Sequence, residues 1–177
     1  MKHLKKIILT VLLFTTIVYS QNGYFERGLS AKIGIGTIKS NSPVVSSLTL
    51  GIAYKSTFGI LPLPIKFEYQ LHKRIEYFLP GEYYDQVYPY LQTLSISAVI
   101  PQSLSEHWGL DFDLGYVLIH DRVFDNSDTF SNGFNFDMAI CYYINRWAYR
   151  IGLNYGLGVT QHNPSFMNYY LSIRYGI

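Results

Sequence analysis

Trp108-Gly109-Leu110-Asp111-Phe112-Asp113-Leu114-Gly115-Tyr116-Val117-Leu118 sets a large apolar side chain at every second position. Strand side chains point alternately to two faces, so one face of this segment is wholly apolar and the other carries two carboxylates. A soluble sandwich would turn the apolar face inward. The pattern instead returns in segment after segment behind a secretory leader.

Leu29, Ala31, Ile33 and Ile35 oppose Ser30, Lys32, Gly34 and Gly36; Leu48, Leu50, Ile52 and Tyr54 oppose Thr49, Gly51, Ala53 and Lys55. The third segment sets Leu63, Ile65, Phe67, Tyr69 and Leu71 against Lys66, Glu68, Gln70 and His72. The fourth runs from Tyr90 to Ile100 with Thr93, Ser95 and Ser97 on its polar side, and the Trp108 run is the fifth. Phe134 to Ile144 turns Asn135 and Asp137 inward, Trp147 to Leu157 turns Arg150 and Asn154 inward, and Met167 to Ile177 does the same with Asn168, Ser172 and Arg174. Each segment has the roughly 9 to 12 residues that a tilted strand needs to cross the hydrocarbon layer. Only helices and closed barrels satisfy every backbone group in lipid, and no other stretch is apolar for long enough to be a spanning helix. The pattern predicts an all-β fold, an eight-stranded antiparallel up-and-down transmembrane β-barrel.

The leader is residues 1–20. Lys2, Lys5 and Lys6 form a basic n-region, Ile7 to Val18 an apolar core, and Val18-Tyr19-Ser20 a cleavage site ahead of Gln21. The apolar run is shorter than the roughly 20 residues of a spanning helix, and no cysteine follows the cut to carry a lipid. Residues 21–177 then form one barrel domain in the cell outer membrane. Cleavage removes three of 14 basic residues and none of 12 acidic ones, so 11 cations face 12 anions. A near-neutral chain offers no electrostatic reason for a nucleic-acid partner. Seventeen tyrosines and eleven phenylalanines suit the aromatic girdles of a barrel. The lone Cys141 excludes a disulfide framework.

Connections alternate in length. Residues 57–62, 101–107 and 145–146 are short; 73–89, 121–132 and 160–166 are longer, with 39–44 the short member of that second set. Short turns face the periplasm and longer loops face outside, which puts both termini in the periplasm. The leader, the eight alternating strands and a last strand running to Tyr175-Gly176-Ile177 resemble the small outer-membrane barrels of the OmpX and OmpA transmembrane-domain type. That resemblance implies the lipid bilayer, lipopolysaccharide and the barrel-assembly machinery as partners. The family usually ends on an aromatic residue, whereas here Ile177 is last.

An eight-stranded barrel is just wide enough for its own side chains, which argues against a porin. The inward charges are Lys32, Lys55, Lys66, Arg150 and Arg174 against Glu68, Asp111, Asp113 and Asp137. Counting along each strand from its periplasmic end sets all but Asp137 in the lower half. Buried charges must pair, so an ion-paired plug is expected. Asp111 and Asp113 face the same way, as acid–base catalysis would require, but the expected lumen leaves no room for a substrate.

Function therefore falls to the outer loops, in adhesion, envelope integrity or partner binding. Residues 73–89 are rich in tyrosine, and Tyr77, Phe78, Tyr83, Tyr84 and Tyr88 suit recognition of an extracellular protein or glycan. Asp121, Asp125 and Asp128 lack the spacing of a calcium loop, and the histidines are scattered, so neither a metal site nor a cofactor is expected. Gln161-His162-Asn163-Pro164-Ser165 faintly resembles the closing region of outer-membrane lipid A deacylases, which implies His162 and Ser165 as base and nucleophile of a lipid-modifying hydrolase. That family's motif is His-x-Ser-Asn, and here the serine stands three residues after the histidine across a proline. A soluble lipocalin-like barrel is the remaining alternative, and it requires the two faces to be exchanged.

Overall fold

Eight strands follow one another along the chain: β1 (Gly28–Lys39), β2 (Val45–Ser56), β3 (Ile65–Arg74), β4 (Tyr90–Ser103), β5 (Trp108–Arg122), β6 (Thr129–Ile144), β7 (Trp147–Gly158) and β8 (Ser165–Gly176). They belong to a computed structural model that describes residues 27–39, 44–58, 63–75, 90–122, 129–159 and 163–177. Each strand pairs antiparallel with its neighbour in sequence, and β1 pairs with β8 to close the sheet. Closure leaves no strand edge unpaired, which is the condition for a sheet to stand in lipid. The leader at 1–20 lies outside the described residues.

The alternation along each strand sorts the side chains as the sequence pattern requires. Trp108, Leu114, Tyr116 and Leu118 are exposed on the outer wall, whereas Asp111 and Asp113 are fully buried. Ile33, Leu50, Ile96, Ile140, Ile151 and Leu171 extend the apolar wall around the barrel. Lys66, Glu68 and Asp113, which a lipocalin-like barrel would leave in water, are buried instead. Water would face this greasy exterior at great cost; lipid does not.

At the end where Gly28 meets Gly176, Trp108 packs on Tyr142 with ring centroids 4.8 Å apart and Trp147 on Tyr175 at 4.9 Å. Such aromatics settle at the headgroup level, one edge apolar and the other wet. The Asn145-Arg146 turn at this end joins β6 to β7 in two residues, with Ile144 opposite Trp147. Asn145 has a φ of 52°, the left-handed region that a tight hairpin needs and asparagine tolerates.

Several strands run further than their apolar alternation. Residues 121–132 read as a loop, yet Asp121 and Arg122 belong to β5 and Thr129 to Asn132 to β6. Their backbones pair across the hairpin, His120 with Phe130 and Asp121 with Thr129. Likewise β4 continues to Ser103, β3 to Arg74, and β8 starts at Ser165. Once past the hydrocarbon, ladder hydrogen bonds hold a strand without any apolar face.

The strands are strongly staggered. Starting from Lys32 and following paired partners through Gly51, Gln70, Thr93 and Ile119 leads to Ser131 on β6. The other way round, through Ser172 and Arg150, leads to Cys141, ten residues further along the same strand. This offset is the shear that tilts the strands of a closed barrel.

Candidate functional site

The shear decides which inward side chains meet. Counted along β6 alone, Asp137 stands apart from the other charges, but the register sets it directly opposite Asp113 and beside Asn154. That separation is thus an artefact of ignoring tilt. Lys66 Nζ lies 2.5 Å from Asp113, 2.8 Å from Glu68 and 2.9 Å from Asp137. Lys32 Nζ lies 2.5 Å from Glu68 and 3.3 Å from Asp137. Asp111 Oδ2 takes Arg174 at 3.2 Å and Arg150 at 3.4 Å, and Arg150 also lies 3.8 Å from Asp113. Lys55 is buried opposite Lys66 in the register and forms no ion pair with a described carboxylate.

Tyr170 joins this group as its neutral member. Its hydroxyl donates to Asp137 Oδ1, and Lys32 Nζ sits 4.0 Å above its ring centroid. The inward parity of an aromatic on β8 is the sequence signal that marks it. A Cβ on Gly152 would come within 2.7 Å of this tyrosine's ring, and one on Gly34 would press on the Tyr169 carbonyl at 2.8 Å and the Tyr170 Cβ at 3.0 Å. The glycines thus make the space that lets a large ring lie across the lumen.

Toward the outer end the charges give way to neutral polar groups. Gln70 Nε2 donates to Asn154 Oδ1 at 3.0 Å, and Asn154 Nδ2 donates to Asn135 Oδ1 at 3.0 Å. Thr49 Oγ1 donates to Asn168 Oδ1 at 2.9 Å, and His72 Nδ1 stands 2.9 Å from the same hydroxyl. Above them the lumen turns apolar: Ile38, Leu91, Val117, Ile119 and Phe166 form one buried cluster, with the Phe166 ring 4.5 Å from that of His72. At the opposite end Ala139, Cys141, Tyr143 and Ala148 pack with Tyr170. The lumen is therefore layered, with ion pairs held between neutral and apolar strata. Such a buried, low-dielectric setting strengthens attraction between paired charges and penalises any that are left alone.

The rim residues are distributed less completely. Tyr77, Phe78, Tyr83, Tyr84 and Tyr88 lie outside the described residues, as do Asp125, Asp128 and His162. Ser165 opens β8, pairs with Lys39 and Leu157, and alternates with the buried Phe166, so its side chain faces the lipid side. Among the described residues no group of three metal-ligating side chains is brought together.

The fold has solved counterparts. Neisserial surface protein A matches 88% of this chain over the whole of its own length, at 13% identity and a TM-score of 0.71. Ail, the attachment invasion locus protein of Yersinia pestis, matches 86% over 99% of its own length, at 11% identity and a TM-score of 0.55. The fold is that of a small outer-membrane β-barrel. The resemblance drawn from the eight strands holds at that level, and the apolar wall with its aromatic girdle places the chain in the outer membrane. No protein-family model matches the chain, and no curated protein matches it.

Proposed function

We propose that this is a non-conducting barrel whose ion-paired lumen serves as a rigid plug, and whose outer loops engage a partner at the cell surface in adhesion or envelope integrity. The observation that carries this reading is the layered lumen, in which Lys66 holds three carboxylates at once beneath an apolar cap. A lumen filled by these described side chains argues against a water path or a substrate cavity and directs recognition to the outer rim. The same fold carries an attachment invasion locus protein. The loop tyrosines at 77, 83, 84 and 88, with Phe78, supply rigid amphipathic contact area for a protein or glycan.

The test uses the mature barrel in lipid nanodiscs and in planar bilayers. Steady ionic conductance would overturn the plug reading; its absence is expected. Binding to immobilised sulfated glycosaminoglycan and extracellular-matrix protein should be lost when residues 76–89 are replaced by a short Gly-Ser turn. Unchanged binding by that folded variant would overturn the loop reading.

A further inference from the structure

The ion-paired layer divides unevenly. Lys32 and Lys66 face Glu68, Asp113 and Asp137, whereas Lys55, Arg150 and Arg174 gather toward the Gly28–Gly176 end around Asp111. Five buried cations therefore meet four carboxylates, and the surplus charge is positive. Asp121, the other buried carboxylate among the described residues, does not offset it, because it stands ten residues further along β5 than Asp111. That is about 33 Å of strand at roughly 3.3 Å per residue.

The surplus falls at Lys55. Its register partner on β3 is Lys66, whose ammonium already holds three carboxylates, and its partner on β1 is Gly28. Gly28 also pairs with Gly176, and it has no side chain to part Lys55 from Arg174. The stem of Arg174 leans into that gap, with its Cγ 3.1 Å from a Cβ built on Gly28. Arg174 donates to Asp111 through Nη1, while its Nε and Nη2 have no hydrogen-bond partner among the described residues. Nη2 of Arg150 and Oγ of Ser172, which stands opposite Arg150 in the register, are equally without one. All of these side chains are buried. Water can satisfy such donors, and the Asp111 Oδ1 that lacks a partner too, but it brings no charge to set against the surplus.

We propose that this end of the lumen binds one halide ion, chloride or its heavier analogue bromide, between Lys55, Arg174 and Arg150. The anion accepts charge-assisted hydrogen bonds from the Lys55 ammonium and from Nη2 of each arginine, and it brings the layer to neutrality. A monovalent ion matches a surplus of one, whereas a doubly charged phosphate would reverse it. The site completes the plug of the proposed function and rests on that reading of the lumen; the outer loops take no part in it.

Heat unfolding of the mature barrel in detergent, with sodium bromide replacing sodium gluconate at constant ionic strength, tests it. Gluconate is too bulky to enter the layer. The unfolding temperature should rise with bromide and level off as a single site fills, since a ligand held only by the folded barrel stabilises it. Lys55→Met removes the surplus cation and should weaken bromide binding at least about tenfold, the worth of one hydrogen bond to a charged group. Ser172→Asp supplies the missing carboxylate beside Arg150 and should abolish the bromide dependence while the barrel still assembles. Crystals grown in bromide should show one anomalous peak within hydrogen-bonding distance of Lys55 Nζ. No response of the wild type to bromide, an unchanged response in Lys55→Met, or bromide peaks confined to the outer surface would overturn the site. Failure of the plug shows as conductance through the wild-type barrel, whereas failure of the halide site leaves conductance at baseline, so the two are told apart.

Discussion

Asp113 on β5 and Asp137 on β6 stand directly opposite each other, both wholly buried, and the ammonium of Lys66 reaches each of them across the lumen. Two carboxylates so placed repel unless a cation lies between them. Lys66→Met removes that cation, leaving Glu68 and Asp137 to Lys32 alone and Asp113 to the longer contact with Arg150. Breaking a buried pair in this way costs about 3 to 5 kcal/mol. The heat-modifiable unfolding temperature in detergent should fall sharply. Asp113→Ala should lower it less, because Lys66 keeps Glu68 and Asp137. The reverse order, or no change in either variant, would remove the plug.

The apolar cap can be tested apart from the charges. Phe166 is buried among Ile38, Leu91 and Ile119. Phe166→Ala should cost about 3 to 5 kcal/mol through the cavity it leaves. Conductance should nevertheless stay at baseline, since the ion-paired layer beneath is untouched. Channel openings in this variant would show that the cap alone seals the lumen.

Strand closure should depend on Gly36 far more than on Gly51. A Cβ on Gly36 would run into the Met167 carbonyl and come within 2.7 Å of Asn168 Cα across the β1–β8 seam. On Gly51 it would meet the flexible Gln70 side chain at 3.2 Å. Gly36→Ala should therefore fail to give the compact, heat-modifiable form on gels. Gly51→Ala should assemble with near-normal yield. Equal assembly of the two would contradict the seam geometry.

The chain's two tryptophans, Trp108 and Trp147, lie at the same end of the barrel on its outer face. Lipids brominated close to the headgroup should quench their fluorescence more strongly than lipids brominated at the chain end. Stronger quenching from the bilayer centre would displace the girdle and with it the membrane boundary.

Much of this molecule is legible in its sequence because a strand's side-chain parity is local: Leu114 and Asp113 go to opposite faces whatever their neighbours do. Register is not local. The shear that brings Asp137 to Lys66 emerges only when eight strands close on themselves, so a count along β6 misplaces it. The strand ends were hidden for another reason. Asp121 and Thr129 carry no apolar alternation, and their pairing rests on the backbone ladder, helped by Thr129 Oγ1 donating to the Asp121 carbonyl and by the Phe130 ring stacked on His120. The apolar stratum of Leu91, Ile119 and Phe166 departs from the polar-inside rule, and only its inward parity betrays it.

The pairing of Gly28 with Gly176 has a consequence for timing. The first strand to leave the ribosome finds its second neighbour only in the last, so the wall cannot be sealed until the final dozen residues have been delivered. Until then β1 and β7 present bare edges and lipid-facing side chains to water. Contacts of such long sequence separation form slowly. Closure of β1 on β8 is therefore the step that leaves the described wall without a bare edge.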